Sequence, residues 1–263
     1  EWAQALVANN AKNVRVHLKV DTGMNRIGIK DKEELKETLD LLVSNGAKVE
    51  GIFTHYACSD VMDKGMTEEQ FEKFKEVVTY LDYPFRWVHA DNSDASMWFE
   101  DDLTNACRLG IVMYGESGVS DEVKPAISLY TTLAHIKEVN AGESIGYGAS
   151  YETRRKEIIG TLPIGYADGW FRKNTGRKVY IGGTYGTLVG RVCMDQCMVR
   201  LNKKYPIGTR VELFGKHLPL ADMAKELDTI TYEILCGMSD RLTKVYIYQG
   251  EMIEEQNARL VGE

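Results

Sequence analysis

The sequence is short of three things, and each shortage removes a class of function. No apolar run approaches the roughly 20 residues that a membrane-spanning helix needs. No signal-peptide pattern opens the chain either, so a cytoplasmic protein is expected. Positive charge is in deficit, with 32 Lys and Arg against 39 Asp and Glu and a net charge of −7. Phosphate contacts require clustered cations, so nucleic acid is not an expected partner, and the Arg154-Arg155-Lys156 spot reads as solvated surface. Cysteine is scarce and odd in number: Cys58, Cys107, Cys193, Cys197 and Cys236 sit in apolar or strand-like sequence. Reduced, buried thiols are expected rather than a disulfide framework. Cys193 and Cys197 lie four apart in what reads as a strand, which would put them on one face. No second Cys or His pair at zinc-ligand spacing accompanies them, so no metal site is expected.

What remains is the composition of a globular protein: 263 residues, 44% hydrophobic and 27% charged, enough for one large domain or two ordinary ones. The first half alternates between two hydrophobic periods. Strands are expected at 14–20, 51–57, 85–89 and 106–115, and helices at 32–45, at 67–80 with Thr67 as N-cap, and in a short piece at 93–99. Repeated strand-helix units imply a parallel sheet with its chemistry at the carboxyl ends of the strands. Lys19, Asp21, Arg26, His55, Asp60, His89, Asn92, Ser93 and Arg108 all fall in or just past those ends. Singly, each is an ordinary strand-end polar group; collectively they mark one rim. Four strands are half of an eight-stranded barrel, so residues 1–120 read as the carboxyl-terminal half of an α/β barrel of TIM type.

From about Pro125 the pattern changes to short strands and Gly-containing turns, with strands expected at 128–139, 157–163, 177–181, 187–192, 196–200, 209–213 and 244–248 and one helix at 221–227. Residues 121–263 therefore read as a second, mainly antiparallel β domain. Three motifs stand out in it: Ile145-Gly146-Tyr147-Gly148-Ala149-Ser150-Tyr151, Gly165-Tyr166-Ala167-Asp168-Gly169-Trp170, and Cys193-Met194-Asp195-Gln196-Cys197. A tyrosine between two glycines has little local packing, so Tyr147 can present its hydroxyl to something outside its own strand.

These motifs, with His17-Leu18-Lys19-Val20-Asp21-Thr22-Gly23-Met24-Asn25-Arg26-Ile27-Gly28, Thr54-His55-Tyr56-Ala57, Asn92-Ser93 and Arg108-Leu109-Gly110-Ile111, run in the order found in the alanine racemase family, which the chain resembles over nearly its whole length. The resemblance implies a barrel followed by a β domain, a homodimer with shared active sites, and pyridoxal 5′-phosphate as cofactor. By the same resemblance, Tyr147 is the base that takes the Cα proton of the L-amino acid in the partner subunit's site, with His55 and Arg108 as the network behind it. Arg108 faces the pyridine nitrogen. Ser93, Gly110 and Ile111 cradle the phosphate, Arg26 bonds the cofactor's phenolic oxygen, and Lys19 matches a lysine that many members carbamylate. The Met194 N–H takes the substrate carboxylate, and Tyr166, Asp60, Arg172 and Arg191 line the entry channel.

Two departures qualify the expectation. The family's cofactor-linking lysine lies in an early barrel strand, in a motif that these 263 residues do not contain. The chain alone is therefore expected to be inactive, with about half of the barrel lying outside it, and the alternative is a non-catalytic, cofactor-binding or dimerising module. In Cys236-Gly237-Met238-Ser239-Asp240-Arg241, Asp240 stands where the family carries a tyrosine against the substrate side chain. A shorter acceptor leaves room for a hydroxymethyl group, so serine is expected beside alanine as a substrate. Otherwise Asp240 is a solvated turn residue.

Overall fold

Alternating apolar residues, Val16 and Leu18 between polar ones, build the first strand, β1 (Arg15–Lys19), which pairs in parallel with β2 (Lys48–Phe53), itself parallel to β3 (Trp87–His89). A computed structural model describes residues 1–61 and 63–257. They form two compact units, Glu1–Lys124 and Pro125–Glu263. In the first unit, α1 (Trp2–Ala8) precedes β1, while α2 (Lys32–Ser44) and α3 (Gly65–Leu81) connect the strands. Asp31 caps α2 by accepting the Glu34 N–H at 2.8 Å. Leu35 and Leu39 of α2 and Phe74 of α3 pack on Leu18, Ile52 and Val88 of the sheet. Each such side chain, fully buried, contributes about 1.5–3 kcal/mol.

Helices cover that face, so the period of two sends the remaining strand side chains to the other face. There Lys19, Phe53 and His89 lie in one row, and His17, Gly51 and Trp87 in the next. Gly51 has a steric reason: an added Cβ would lie 2.6 Å from the His17 ring and 2.8 Å from the Trp87 carbonyl oxygen.

Three expectations for this unit need correction. Segment 106–115 is not a strand; it holds a 3-10 turn at Ile111–Tyr114, and the sheet has three strands, not four. The backbone N–H groups of Arg108 and Gly110 bond the Asp91 carbonyl and the Ser93 hydroxyl, so they serve a loop instead of a ladder. Helix α3 begins at Gly65, which places the buried Thr67 inside it instead of at its N-cap.

The second unit is built on a seven-stranded antiparallel sheet in the order β4-β12-β9-β10-β11-β8-β5. Its strands are β4 (Leu129–Thr132), β5 (His135–Val139), β8 (Glu157–Leu162), β9 (Lys178–Ile181), β10 (Thr184–Val189), β11 (Cys197–Leu201) and β12 (Arg210–Phe214). Leu162, Val179, Val199 and Leu213 bury against α4 (Leu220–Leu227) and α5 (Thr231–Cys236). Two small hairpins stand apart from this sheet: β6 (Ser144–Ile145) with β7 (Tyr151–Glu152), and β13 (Lys244–Tyr248) with β14 (Glu251–Gln256). Cys193 precedes β11, so it does not share a strand face with Cys197, and Cys107 and Cys236 are exposed, contrary to the expectation of buried thiols. No described helix is long and apolar enough to cross a membrane.

Candidate active site

In the first unit the site grows from the open face of the sheet. His89 stacks on Phe53 with ring centroids 5.0 Å apart, and the Lys19 ammonium and the Arg108 guanidinium each lie 5.4 Å from the Phe53 centroid. Arg108 holds the arrangement together. Its Nη1 meets His89 Nδ1 at 2.5 Å, and its Nη2 donates to the carbonyls of Thr54 and Ala90 at 2.9 Å and lies 3.2 Å from His55 Nδ1. Nε has no hydrogen-bond partner among the described residues.

The protons on this network follow from Arg108 alone. A guanidinium only donates, so the His89 Nδ1 that faces Nη1 is an acceptor and that imidazole carries its hydrogen on Nε2, while the two Nη2 hydrogens go to the Thr54 and Ala90 carbonyls. His89 Nε2–H then donates to His17 Nδ1 at 2.8 Å, which places the His17 proton on its own Nε2. Electrostatics agree. Burial first, and then the Arg108 charge, push His55 down to about 4 and His89 down to about 4. Arg108 is therefore one fixed cation faced by two neutral imidazoles, those of His55 and His89.

Lys19 donates to its neighbour's carbonyl, Val20 O, at 2.7 Å, and burial lowers its ammonium to about 8, against the opposing pull of Asp21. Arg26 is exposed on the following loop, yet it is close enough for its charge to depress both Lys19 and His55. Ser93 is buried, and its hydroxyl oxygen accepts the Gly110 N–H at 2.8 Å and the Val112 N–H at 3.5 Å, which gathers the first turn of the 3-10 segment around one oxygen. The Ser93 O–H is left to donate at the point where these N–H groups gather, which suits a phosphate oxygen, and the free Nε of Arg108 suits a ring nitrogen acceptor. The donor set fits pyridoxal 5′-phosphate.

The second unit carries the other predicted residues on neighbouring loops. Tyr147 sits at the tip of the β6–β7 hairpin, in a 3-10 turn and not in a strand, and it is 72% exposed. Gly146 (φ 76), Gly148 (φ 69) and Ala149 (φ 46) give that turn three left-handed residues, and the non-glycine among them costs on the order of 1 kcal/mol. A Cβ on Gly148 would lie 3.1 Å from Arg191 Nη1, so the arginine packs over the missing side chain. Tyr166 and Ala167 donate their N–H groups to the carbonyls of Cys193 and Met194 at 3.1 and 3.0 Å. That fixes the Tyr166 loop against the Met194 loop.

Other predicted residues are not drawn into these clusters. Asp60 and Arg172 are exposed turn residues, and the Asp240 carboxylate lies on the surface, 3.5 Å from the Lys244 ammonium. Sequence reading placed His89 on the rim without a further role, and gave no role to His17, Phe53, Tyr56 or Asp91. The strand register was the signal for His17, Phe53 and His89, since Lys19 and its period-two neighbours select one face. Asp91 and Tyr56 are buried, Asp91 Oδ1 and the Tyr56 hydroxyl have no hydrogen-bond partner among the described residues, and burial raises the Asp91 carboxyl to about 6. Only tertiary packing could have shown them.

Comparison with known proteins matches both units. The family model described as the alanine racemase N-terminal domain covers residues 1–118, and the one described as the C-terminal domain covers 126–246. The alanine racemase of Ligilactobacillus salivarius is 44% identical over 93% of this chain and 69% of its own length, and that of Lactococcus lactis is 42% identical over 94% and 70%. Among solved structures, the Bacillus anthracis alanine racemase with bound L-Ala-P superposes with a TM-score of 0.92 at 34% identity, over 97% of this chain and 71% of that one. An Enterococcus faecalis (E. faecalis) alanine racemase gives 0.80 at 42% identity, over 86% and 64%. The chain belongs to the alanine racemase family.

Proposed function

We propose that the protein interconverts L- and D-alanine, and L- and D-serine as well, with pyridoxal 5′-phosphate and two bases, one of which is Tyr147 acting in the site of a partner subunit. The observation that carries this reading is the Arg108 network: a permanent cation whose Nη atoms are committed to His89, Thr54, Ala90 and His55 and whose Nε is left to face a ligand. When bound, the cofactor supplies the conjugated ring that acidifies the substrate Cα–H. Arg108 keeps its own proton at working pH, so a ring nitrogen opposite it stays unprotonated and the electron sink stays weak. A weak sink favours prompt return of a proton to Cα over side reactions. The Ser93 O–H and the Ile111 N–H would hold the phosphate, with the Gly110 N–H turning to it from Ser93 Oγ, and Arg26 would bond the phenolic oxygen.

Lys19 fits carbamylation, because only the neutral amine attacks carbon dioxide and a lysine lowered to about 8 is partly neutral at physiological pH. The Met194 N–H binds the substrate carboxylate, while Tyr166, Asp60, Arg172 and Arg191 border the way in. Tyr147, at the tip of an exposed hairpin, moves the Cα proton of the L-isomer at its hydroxyl oxygen. The side chain at 240 decides what the substrate β-carbon can carry: Asp240 leaves space and an acceptor where the family's tyrosine would fill it.

The test is direct. The complete gene product, loaded with cofactor, is given L-alanine and separately L-serine, and the D-isomer is followed by chiral chromatography. D-alanine and D-serine should both form; failure to form D-alanine would end the reading, and failure on serine alone would end its extension to serine.

A further inference from the structure

Arg241 has no part in the chemistry above, yet it joins more of the second unit's loops than any residue given a role there. Its Nη2 donates to Asp195 Oδ1 at 2.6 Å, and its Nε lies 3.2 Å from Asp168 Oδ1. Asp168 is buried and fully engaged: Oδ2 accepts the Gly165 N–H at 2.9 Å, and its backbone carbonyl accepts the Ser239 N–H at 3.1 Å. Two glycines allow the loops to come this close. A Cβ at Gly165 would lie 2.3 Å from the carbonyl oxygens of Cys193 and Met194, and one at Gly169 (φ +91) would lie 2.3 Å from the Gly237 carbonyl oxygen.

We infer that Arg241 is a positioning residue: a single guanidinium clamps the loops at 165–169, 193–195 and 237–241 and so fixes Tyr166, the Met194 N–H and Asp240 relative to one another. The inference rests on the proposed function for what those three groups recognise, though not for the clamp itself. Geometry explains why arginine is needed. The two carboxylates stand on different loops, and a planar fork can hydrogen-bond one and hold the other by charge from separate nitrogens, whereas an ammonium is a point charge at the end of a flexible stem. Loss of the clamp leaves the fold of the sheet untouched, because Leu162, Val199 and Leu213 bury beneath it without help from Arg241. It also leaves Ser93, Gly110 and Arg108, which belong to the other unit.

The experiment uses the complete gene product with bound cofactor and the variants Arg241→Ala, Arg241→Lys and Asp195→Asn. In Arg241→Ala, amide hydrogen exchange should accelerate about tenfold or more in all three loops together, the size expected when one shared ionic tie is cut. The KM for L-alanine should rise about tenfold while kcat falls less and cofactor absorbance persists. Millimolar guanidinium should restore part of the Arg241→Ala loss, and Arg241→Lys should not behave like the wild type. Faster exchange confined to 239–243, or an unchanged KM, would overturn the clamp. If the wild-type protein racemises nothing, the functional reading falls, and the exchange pattern still decides whether Arg241 ties the loops.

Discussion

Around Arg108, pH acts through groups whose shifts have opposite signs. An imidazole held at about 4 in the fold and near 6.5 in the open chain takes up its proton only on unfolding across that interval, so His55 and His89 make the protein less stable as pH falls from about 6.5 towards 4. Asp91 opposes them. Raised to about 6 from 3.8, it binds a proton in the fold while the open chain does not, so it adds stability as pH falls through its own window. The Asp91→Asn variant removes only the opposing group, and urea denaturation from pH 7 to 4.5 should show a steeper loss of stability than in the wild type; an equal or shallower slope would mean that Asp91 does not titrate there. At position 240 the prediction concerns substrate. Asp240→Tyr should lower kcat/KM for serine about tenfold more than for alanine, because crowding against a hydroxymethyl group is worth about 1–3 kcal/mol in a tight pocket. Equal losses on the two substrates would return Asp240 to the role of a solvated turn.

At the scale of elements, two glycines do more than turn the chain. Gly51→Ala would drive a methyl group into the His17 ring and the Trp87 carbonyl, both under 3 Å away, and should cost about 1–3 kcal/mol by chemical denaturation. Activity should fall with it, since His17 is the far end of the chain of imidazoles that orients Arg108. A Gly51→Ala protein as stable as the wild type would show that the sheet yields there. The elements themselves were largely legible in the sequence because periodicity survives in them: α2 shows Leu35, Leu39 and Leu42 at helical spacing with Asp31 at its start, and β9 and β11 alternate. Segment 106–115 misled because Ile111, Val112 and Tyr114 have strand propensity, while its hydrogen bonds were decided by Asp91 and Ser93, distant in sequence. The α5 helix and β14 went unseen, one for being only six residues long and the other because both of its faces are exposed and carry no alternation. Of the candidate site, the residues held in local motifs or at strand ends could be read, His89 among them, and those created by register or burial, such as Phe53 and Asp91, could not.

For the whole molecule, the proposal is that the first unit supplies the cofactor site and the second unit of a partner copy supplies the base. A subunit-mixing experiment follows from the symmetry of such a dimer. Tyr147→Phe and Arg108→Ala proteins, each inactive alone, should regain about one quarter of wild-type activity after random reassociation, since half of the dimers are mixed and each mixed dimer holds one intact site. No recovery would mean that Tyr147 serves its own chain or none. The most direct measurement follows the Cα proton itself. In deuterated water, the cofactor-loaded Tyr147→Phe protein should lose exchange of the Cα hydrogen of L-alanine by about 10²–10⁴-fold, as expected for removal of a general base, while D-alanine continues to exchange on its opposite face without being racemised. Equal retention, or equal loss, of exchange from the two isomers would contradict the assignment of Tyr147 as the base for the L-side proton.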